Sequence, residues 1–295
     1  MTNTHDELLT FDHFMAYANL IKELRLFNTY PLNEIWHEHL AFLETSDQQR
    51  LDPASHAGFR SALGGDWGDV TRDRGIVGIT MHFGAYRHAF VKFVQTIREH
   101  NPSTTTTLVV DQESFDLEQR LEPWNRIYEE LNVHFVVAEH AASALRIVRH
   151  LKKGGAVVVY LDGLTGAGQD ESPITVPFVS HPIHLRSGLF RLLSQVDAPA
   201  VAFIPESNDT LVYSPPLQSR NPEALAEYIM SFFRRRLLAQ PAHWRLWYRH
   251  HRYINQAPIF GEHSPSNTSE MIRCADSLPH LLLDTTTGDI YEDLG

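Results

Sequence analysis

Apolar residues along this chain fall into two patterns that alternate. Short runs rich in β-branched residues begin at Ile76, Thr104, Val133 and Ala156, and each reads as a buried strand. Between them, apolar positions recur every three or four residues. Tyr86, Phe90, Val91 and Phe93 can share one helical face in a segment reaching His100. Further helices are expected over Phe115 to Glu130 and Ala141 to Leu151, with breaks at Asn101-Pro102-Ser103 and Lys152-Lys153-Gly154-Gly155. Such alternation predicts an α/β fold, a mostly parallel sheet flanked by helices.

Upstream lie two N-terminal helices. Thr10 to Leu26 sets Phe14, Tyr17, Leu20, Ile21 and Leu24 on one stripe, and Leu32 to Leu43 turns Ile35, Trp36, His39 and Leu40 inward. Asp52 to Gly75 is polar and Gly-rich, a connection with a turn or two of helix at Phe59 to Leu63. Leu164 to Pro173 reads as an acidic, Gly-rich loop. Near the end, Leu281 to Tyr291 predicts a C-terminal hairpin turning around Gly288. Residues 1–255 therefore read as one α/β domain, its first 50 residues the N-terminal helices, and 256–295 as an extension.

Composition narrows the class. With 295 residues, 43% hydrophobic and 21% charged, the chain is long enough for a large core and has ordinary globular balance. The single cysteine, Cys274, rules out an internal disulfide and suggests a reducing compartment. No apolar run approaches the ~18 residues of a membrane helix. Met1 to Glu7 has no basic region leading into an apolar core, so no signal peptide is expected. A cytoplasmic protein follows as the expectation. A net charge of -11 argues against nucleic acid or anionic membranes as partners. Yet Tyr228 to Gly261 contains no acid, while Arg234, Arg235, Arg245, Arg249 and Arg252 fall within it. That stretch is either a solvated face with local ion pairs or a docking surface for an acidic partner. No P-loop, dinucleotide glycine fingerprint or trusted metal-ligand spacing is present, and no cofactor is expected.

Candidate chemistry centres on Met81-His82-Phe83-Gly84, at the carboxyl end of the first strong strand. In open α/β sheets that edge binds ligands. A histidine there can take a proton from an attacking hydroxyl or amine, or it can simply cap the next helix. His82-Phe83-Gly84-Ala85-Tyr86-Arg87 resembles the His-Phe-Gly-Asn-Trp-Glu segment of the bacterial lipid A biosynthesis (lauroyl/myristoyl) acyltransferases, a branch of the glycerolipid acyltransferase group. Two further segments resemble the family in order. Val176-Pro177-Phe178, Pro182 and Gly188 match its Val-Pro-Phe region, with Ser180 and Leu185 departing from it. Pro241, Trp244, Trp247, His250 and Arg252 fit its last motif. The likeness spans about residues 15–255.

What the resemblance implies is a glycerolipid-acyltransferase-like fold in which His82 is the general base. Phe83, Gly84 and Tyr86 would lie beside the substrate. The family's dyad acid is replaced by Arg87, which can only donate hydrogen bonds. Asp111, Glu113 or Asp162 must then stand in for it, or His82 acts alone. Asp162 matches the Asp of the family's Asp-Gln segment. Asp111 can equally cap the following helix. Arg87 itself is expected to be recruited to a carboxylate or phosphate, from the substrate or from Asp111 or Asp162. His181, His184 and Arg186, at a helix amino terminus, could hold an anionic group, or each could be a surface residue. The expected activity is transfer of an acyl group from a thioester, on CoA or an acyl or peptidyl carrier protein, to a hydroxyl or amine of a soluble small molecule, as in specialised metabolism. The alternatives are a non-catalytic acyl- or carrier-binding relative, and a peripheral lipid-remodelling acyltransferase that lays Phe11 to Leu26 on a bilayer.

Overall fold

The computed structural model describes residues 9–27, 29–51, 53, 60–62, 75–163, 172–196, 198–206, 210–254, 270–277 and 280–292. The acidic loop, most of the connection before Gly75 and the start of the extension lie outside them. Among the described residues no helix is long and apolar enough to cross a membrane.

A seven-stranded sheet forms the centre, with strands β1 (Arg60–Ala62), β2 (Ile76–Thr80), β3 (Thr106–Val110), β4 (Val133–Val137), β5 (Ala156–Tyr160), β8 (Ala200–Glu206) and β9 (Thr210–Tyr213). A separate hairpin, β6 (Ile174–Pro177) and β7 (Pro182–Leu185), lies between β5 and β8 in the chain. The sheet order is β1-β9-β8-β2-β5-β3-β4. The five strands from β8 to β4 run parallel, and β9 turns back antiparallel on β8. Strands β2, β3 and β5 are buried along their whole length, which is why they read as unbroken apolar runs.

Side chains along β2 alternate between two cores, one on each face. Val77 and Ile79 belong to one core, and Ile76 to the other. The second core is closed by α3 (Tyr86–His100) through Phe90, Phe93, Val94 and Ile97. Gly78 has a packing reason. A Cβ there would lie 2.6 Å from the Phe93 ring, which stacks on Phe203 at 4.3 Å.

Three expectations change. The helix over Phe115 to Glu130 is two helices, α4 (Gln112–Glu118) and α5 (Glu122–Glu130), because Pro123 belongs to a first helical turn. The helical turn near Phe59 is instead β1, paired in parallel with β9, where pairing in the sheet overrides local preference. The C-terminal hairpin is the rear of a three-stranded antiparallel sheet, β10 (Met271–Arg273), β11 (Leu281–Asp284) and β12 (Ile290–Glu292).

That small sheet covers α1 (Phe11–Leu24). Ala275 donates its backbone N–H to Leu9 at 2.8 Å, and Lys22 pairs with Asp289 at 2.9 Å. Every residue of α1 from Phe14 to Leu24 is buried, so the helix has no stripe left for a bilayer; of the large apolar residues here only Phe11 and Leu26, near its ends, are exposed. The remaining helices are α2 (Leu32–Leu51), α6 (Ser143–Lys152), α7 (Ser187–Gln195) and α8 (Pro222–Ala239), followed by 3-10 turns at Pro241–His243 and Arg245–Arg252.

His39 on α2 gives the fold a pH dependence. Its Nδ1 donates to the Ala242 carbonyl at 2.7 Å, while Nε2 is buried without a partner among the described residues. Burial, with help from the nearby His13, Arg245 and His243, pushes its pKa down to about 4. Unfolded His39 protonates near 6.5 and folded His39 does not, so stability drains as pH falls from 6.5 to about 4. The loss from His39 is on the order of 3 kcal/mol. Thermal melts from pH 7 to pH 4.5 should show a falling Tm, and His39→Asn should flatten that slope.

Candidate active site

Register builds the site. Thr80 and Tyr160 end β2 and β5 as cross-strand partners, and His82 and Asp162 stand two residues beyond each. His82 Nδ1 lies 2.9 Å from Asp162 Oδ1. The His82 backbone N–H donates to Asp162 Oδ2 at 2.9 Å, and Trp244 Nε1–H donates to the same oxygen at 2.7 Å. Asp162 is only 4% exposed. A carboxylate at Nδ1 assigns the ring proton to that nitrogen, leaving the lone pair on Nε2. Asp162 is therefore the acid the structure brings to His82. Its hydrogen bonds hold the ring from one side, and Tyr86 and Tyr160 flank it with ring centroids 4.8 and 4.6 Å away.

Behind the pair, His243-Trp244-Arg245 is zipped onto His82-Phe83-Gly84. Gly84 N–H donates to the His243 carbonyl at 2.9 Å, and Arg245 N–H to the His82 carbonyl at 2.9 Å. Gly84 has φ +53, a left-handed conformation that glycine adopts without strain. Phe83 is a core residue beside Trp244 and His243 rather than a wall of the site.

His82, Tyr86, Arg87, Asp111, Glu118 and Tyr160 are among the residues facing one cavity of about 270 Å³. Arg87 is recruited, but by neither acid expected of it. Its Nη2 pairs with Glu118 Oε1 at 2.5 Å, and its Nη1 donates to the Tyr86 hydroxyl. The cause is the break after Glu118, which ends α4 beside the first turn of α3. Burial disfavours the charge on Arg87, yet Tyr86 and Glu118 outweigh it and hold the guanidinium above its ordinary range. Burial also pushes the Tyr128 and Tyr160 phenols well up, so both stay neutral. Asp111 lines the cavity as a helix cap, accepting from Ser114 N–H at 2.7 Å, and Glu113 lies near it.

His181, His184 and Arg186 do not reach this cavity. His181, on the turn between β6 and β7, bonds Glu23 Oε1 on α1 at 3.0 Å, and buried His250 reaches the same oxygen at 2.9 Å. Burial pushes the Glu23 carboxyl up, but His181, His250 and the Ser180 N–H reverse that and hold it at about 2. His184 Nδ1 lies 3.2 Å from the Thr175 hydroxyl, and Arg186 is the residue before α7. His181 thus ties the hairpin to α1, and the His184 backbone N–H donates to the Tyr253 carbonyl at the end of the 3-10 segment at 2.8 Å.

The five arginines of the acid-free stretch divide likewise. Arg245 bonds Ser46 at 3.0 Å and Asp47 at 2.5 Å, and Arg249 donates to the Tyr248 hydroxyl; both line the cavity. Arg234 reaches the Val179 carbonyl at 3.5 Å. Arg235 and Arg252 are exposed. The acids that answer this stretch come from elsewhere in the sequence, as Asp47 does. Among the described residues no cluster of histidine, cysteine and acidic groups has the geometry for a metal ion.

Three site residues escaped the sequence. Trp244 was legible only as part of a motif, Tyr160 only as the polar residue of an apolar strand, and Glu118 carried no signal. No family model matches the chain, and no curated protein matches it.

The Arg87–Glu118 pair is buried, with Arg87 Nε lacking a partner among the described residues. Removing one partner strands a buried charge. Glu118→Leu alone should cost about 3–5 kcal/mol, whereas Arg87→Met combined with Glu118→Leu should be close to neutral. Urea unfolding midpoints of the three proteins test this.

Proposed function

We propose that this chain is an acyltransferase that moves an acyl group from a thioester, on CoA or a carrier protein, to a hydroxyl or amine of a soluble small molecule. One observation carries the reading: a histidine whose Nδ1 is held by a buried carboxylate, at adjacent parallel strand ends, facing a cavity. The resemblance of His82-Phe83-Gly84 and the two later segments to the lipid A acyltransferases supports the choice of acyl transfer over other base-catalysed chemistry.

In this mechanism Nε2 of His82 takes the proton of the attacking hydroxyl or amine as its lone pair bonds to the thioester carbon. Asp162 fixes the tautomer and steadies the imidazolium that forms. Collapse of the tetrahedral intermediate breaks the carbon–sulfur bond, and the imidazolium returns its proton to the departing thiolate. The carboxylate need not lie five residues after the histidine, because strand register brings one from β5 instead. Arg87 is then free of the family acid's duty. A carrier-protein donor, being acidic, would meet the chain at exposed Arg235 and Arg252.

Thiol release from octanoyl-CoA and palmitoyl-CoA, with a mixed set of amine and alcohol acceptors, is the assay. His82→Ala should lose ~100- to 10,000-fold of the rate, as removal of a general base does. Asp162→Asn should lose a comparable factor, because an amide cannot enforce Nδ1–H. Arg87→Glu should not restore activity to Asp162→Asn, since position 87 faces Glu118. Circular dichroism would confirm folding, and undiminished turnover by folded His82→Ala would remove the proposal.

A further inference from the structure

We infer that the Tyr86 hydroxyl is the hydrogen-bond donor that receives the negative charge of the tetrahedral intermediate, and that Arg87 is the positioning residue that aims it. This inference rests on the acyl-transfer reading above and assigns it a second catalytic group. Tyr86 opens α3 four residues after His82, with its ring 4.8 Å from the imidazole, and both face the same cavity. Its oxygen accepts from Arg87 Nη1. That bond occupies a lone pair and leaves the phenolic hydrogen to donate.

The surroundings keep this donor where it is needed. Arg87 is buried, its guanidinium lies 4.8 Å from the Tyr86 ring centroid, and Glu118 holds its far side at 2.5 Å. A phenol that accepts from a cation is polarised toward donation, as charge-assisted bonds are stronger than neutral ones. Tyr160 packs edge-on to Tyr86 at 5.7 Å and also contacts the imidazole, with ring centroids 4.6 Å apart. Base and donor therefore face the same cavity from neighbouring positions. As the nucleophile's proton moves to His82 Nε2, the carbonyl π pair moves onto oxygen, and Tyr86 O–H donates to that oxyanion. When the intermediate collapses the pair returns to the carbonyl, and Tyr86 keeps its proton throughout. Preorganised donors of this kind act where charge develops, so they lower the barrier without tightening substrate binding. The residue that departs from the family pattern thus acquires a role that an acid at position 87 could not fill, because a carboxylate would accept the phenolic hydrogen.

Two measurements decide it. In the thiol-release assay Tyr86→Phe should lower kcat ~100- to 1,000-fold with KM nearly unchanged. The paired variant Arg87→Met/Glu118→Leu, which strands no charge, should lose less, about 10-fold. Adding Tyr86→Phe to that pair should do no more harm than Tyr86→Phe alone, since Arg87 acts through the hydroxyl. Losses that multiply, or a full-rate Tyr86→Phe, overturn the inference. Dead His82→Ala beside a full-rate Tyr86→Phe would do so while leaving acyl transfer standing. The second measurement needs no turnover. Calorimetry with octylphosphonate, a tetrahedral oxyanion on an alkyl chain, should show ~10-fold or more weaker binding to Tyr86→Phe than to wild type. Equal or absent binding in both overturns it.

Discussion

A buried carboxylate has to be satisfied, and Asp162 is the point at which this fold meets that demand. Three N–H donors converge on it, two from His82 and one from Trp244. They arrive by two routes. Strand register places His82 opposite Asp162, while the zipped segment after α8 delivers the indole. Charge-assisted hydrogen bonds are stronger than neutral ones, and an orphaned buried carboxylate would be costly. The same three bonds therefore select the strand-end geometry, anchor the segment that closes over it, and orient the imidazole. Stability and chemistry use one group here, which limits how far either can vary separately.

A second buried pair, Arg87 with Glu118, sits in the same cavity and is kept apart from the first. If Asp162 also faced Arg87, the carboxylate would be shared and its hold on Nδ1 weakened. The break between α4 and α5 prevents this by giving the guanidinium its own acid. One cavity thus contains a histidine backed by a carboxylate and a guanidinium backed by another. Proton uptake by the imidazole changes only the first of these. The cation that forms then has the Asp162 carboxylate at Nδ1 and the rings of Tyr86 and Tyr160 in contact with it.

Much of the frame was legible along the chain, for physical reasons that differ by element. Buried parallel strands such as β2 and β5 announce themselves because both faces are apolar. His82 was legible because it follows such a strand, and Asp162 because it follows another. That the two strands are neighbours was not, since sheet order is decided by packing between distant elements. Glu118 failed for a related reason: nothing local distinguishes a helix-ending glutamate in solvent from one turned onto a buried arginine. The histidines after β6 looked functional because they cluster at a helix amino terminus. The partner of His181, Glu23, lies more than 150 positions upstream and is invisible to spacing. Arg245 misled in the same way, its acid being Asp47 on α2.

Long-range pairs of this sort also explain why the N-terminal helix and the tail belong to the site's scaffold. Glu23 on α1 joins His181 on the hairpin and His250 in the 3-10 segment, while Asn19 donates to the Trp247 carbonyl at 2.7 Å. The 3-10 segment in turn carries the strand of contacts that ends at Trp244 and Asp162. The far side of α1 is held by β10 to β12 through the Lys22–Asp289 pair and the Leu9 backbone. A chain of contacts thus runs from the C-terminal sheet through α1 to the carboxylate behind the imidazole. An element that could have rested on a lipid surface is instead spent as an interior strut, and the apolar stripe that suggested otherwise is the part of it most completely enclosed.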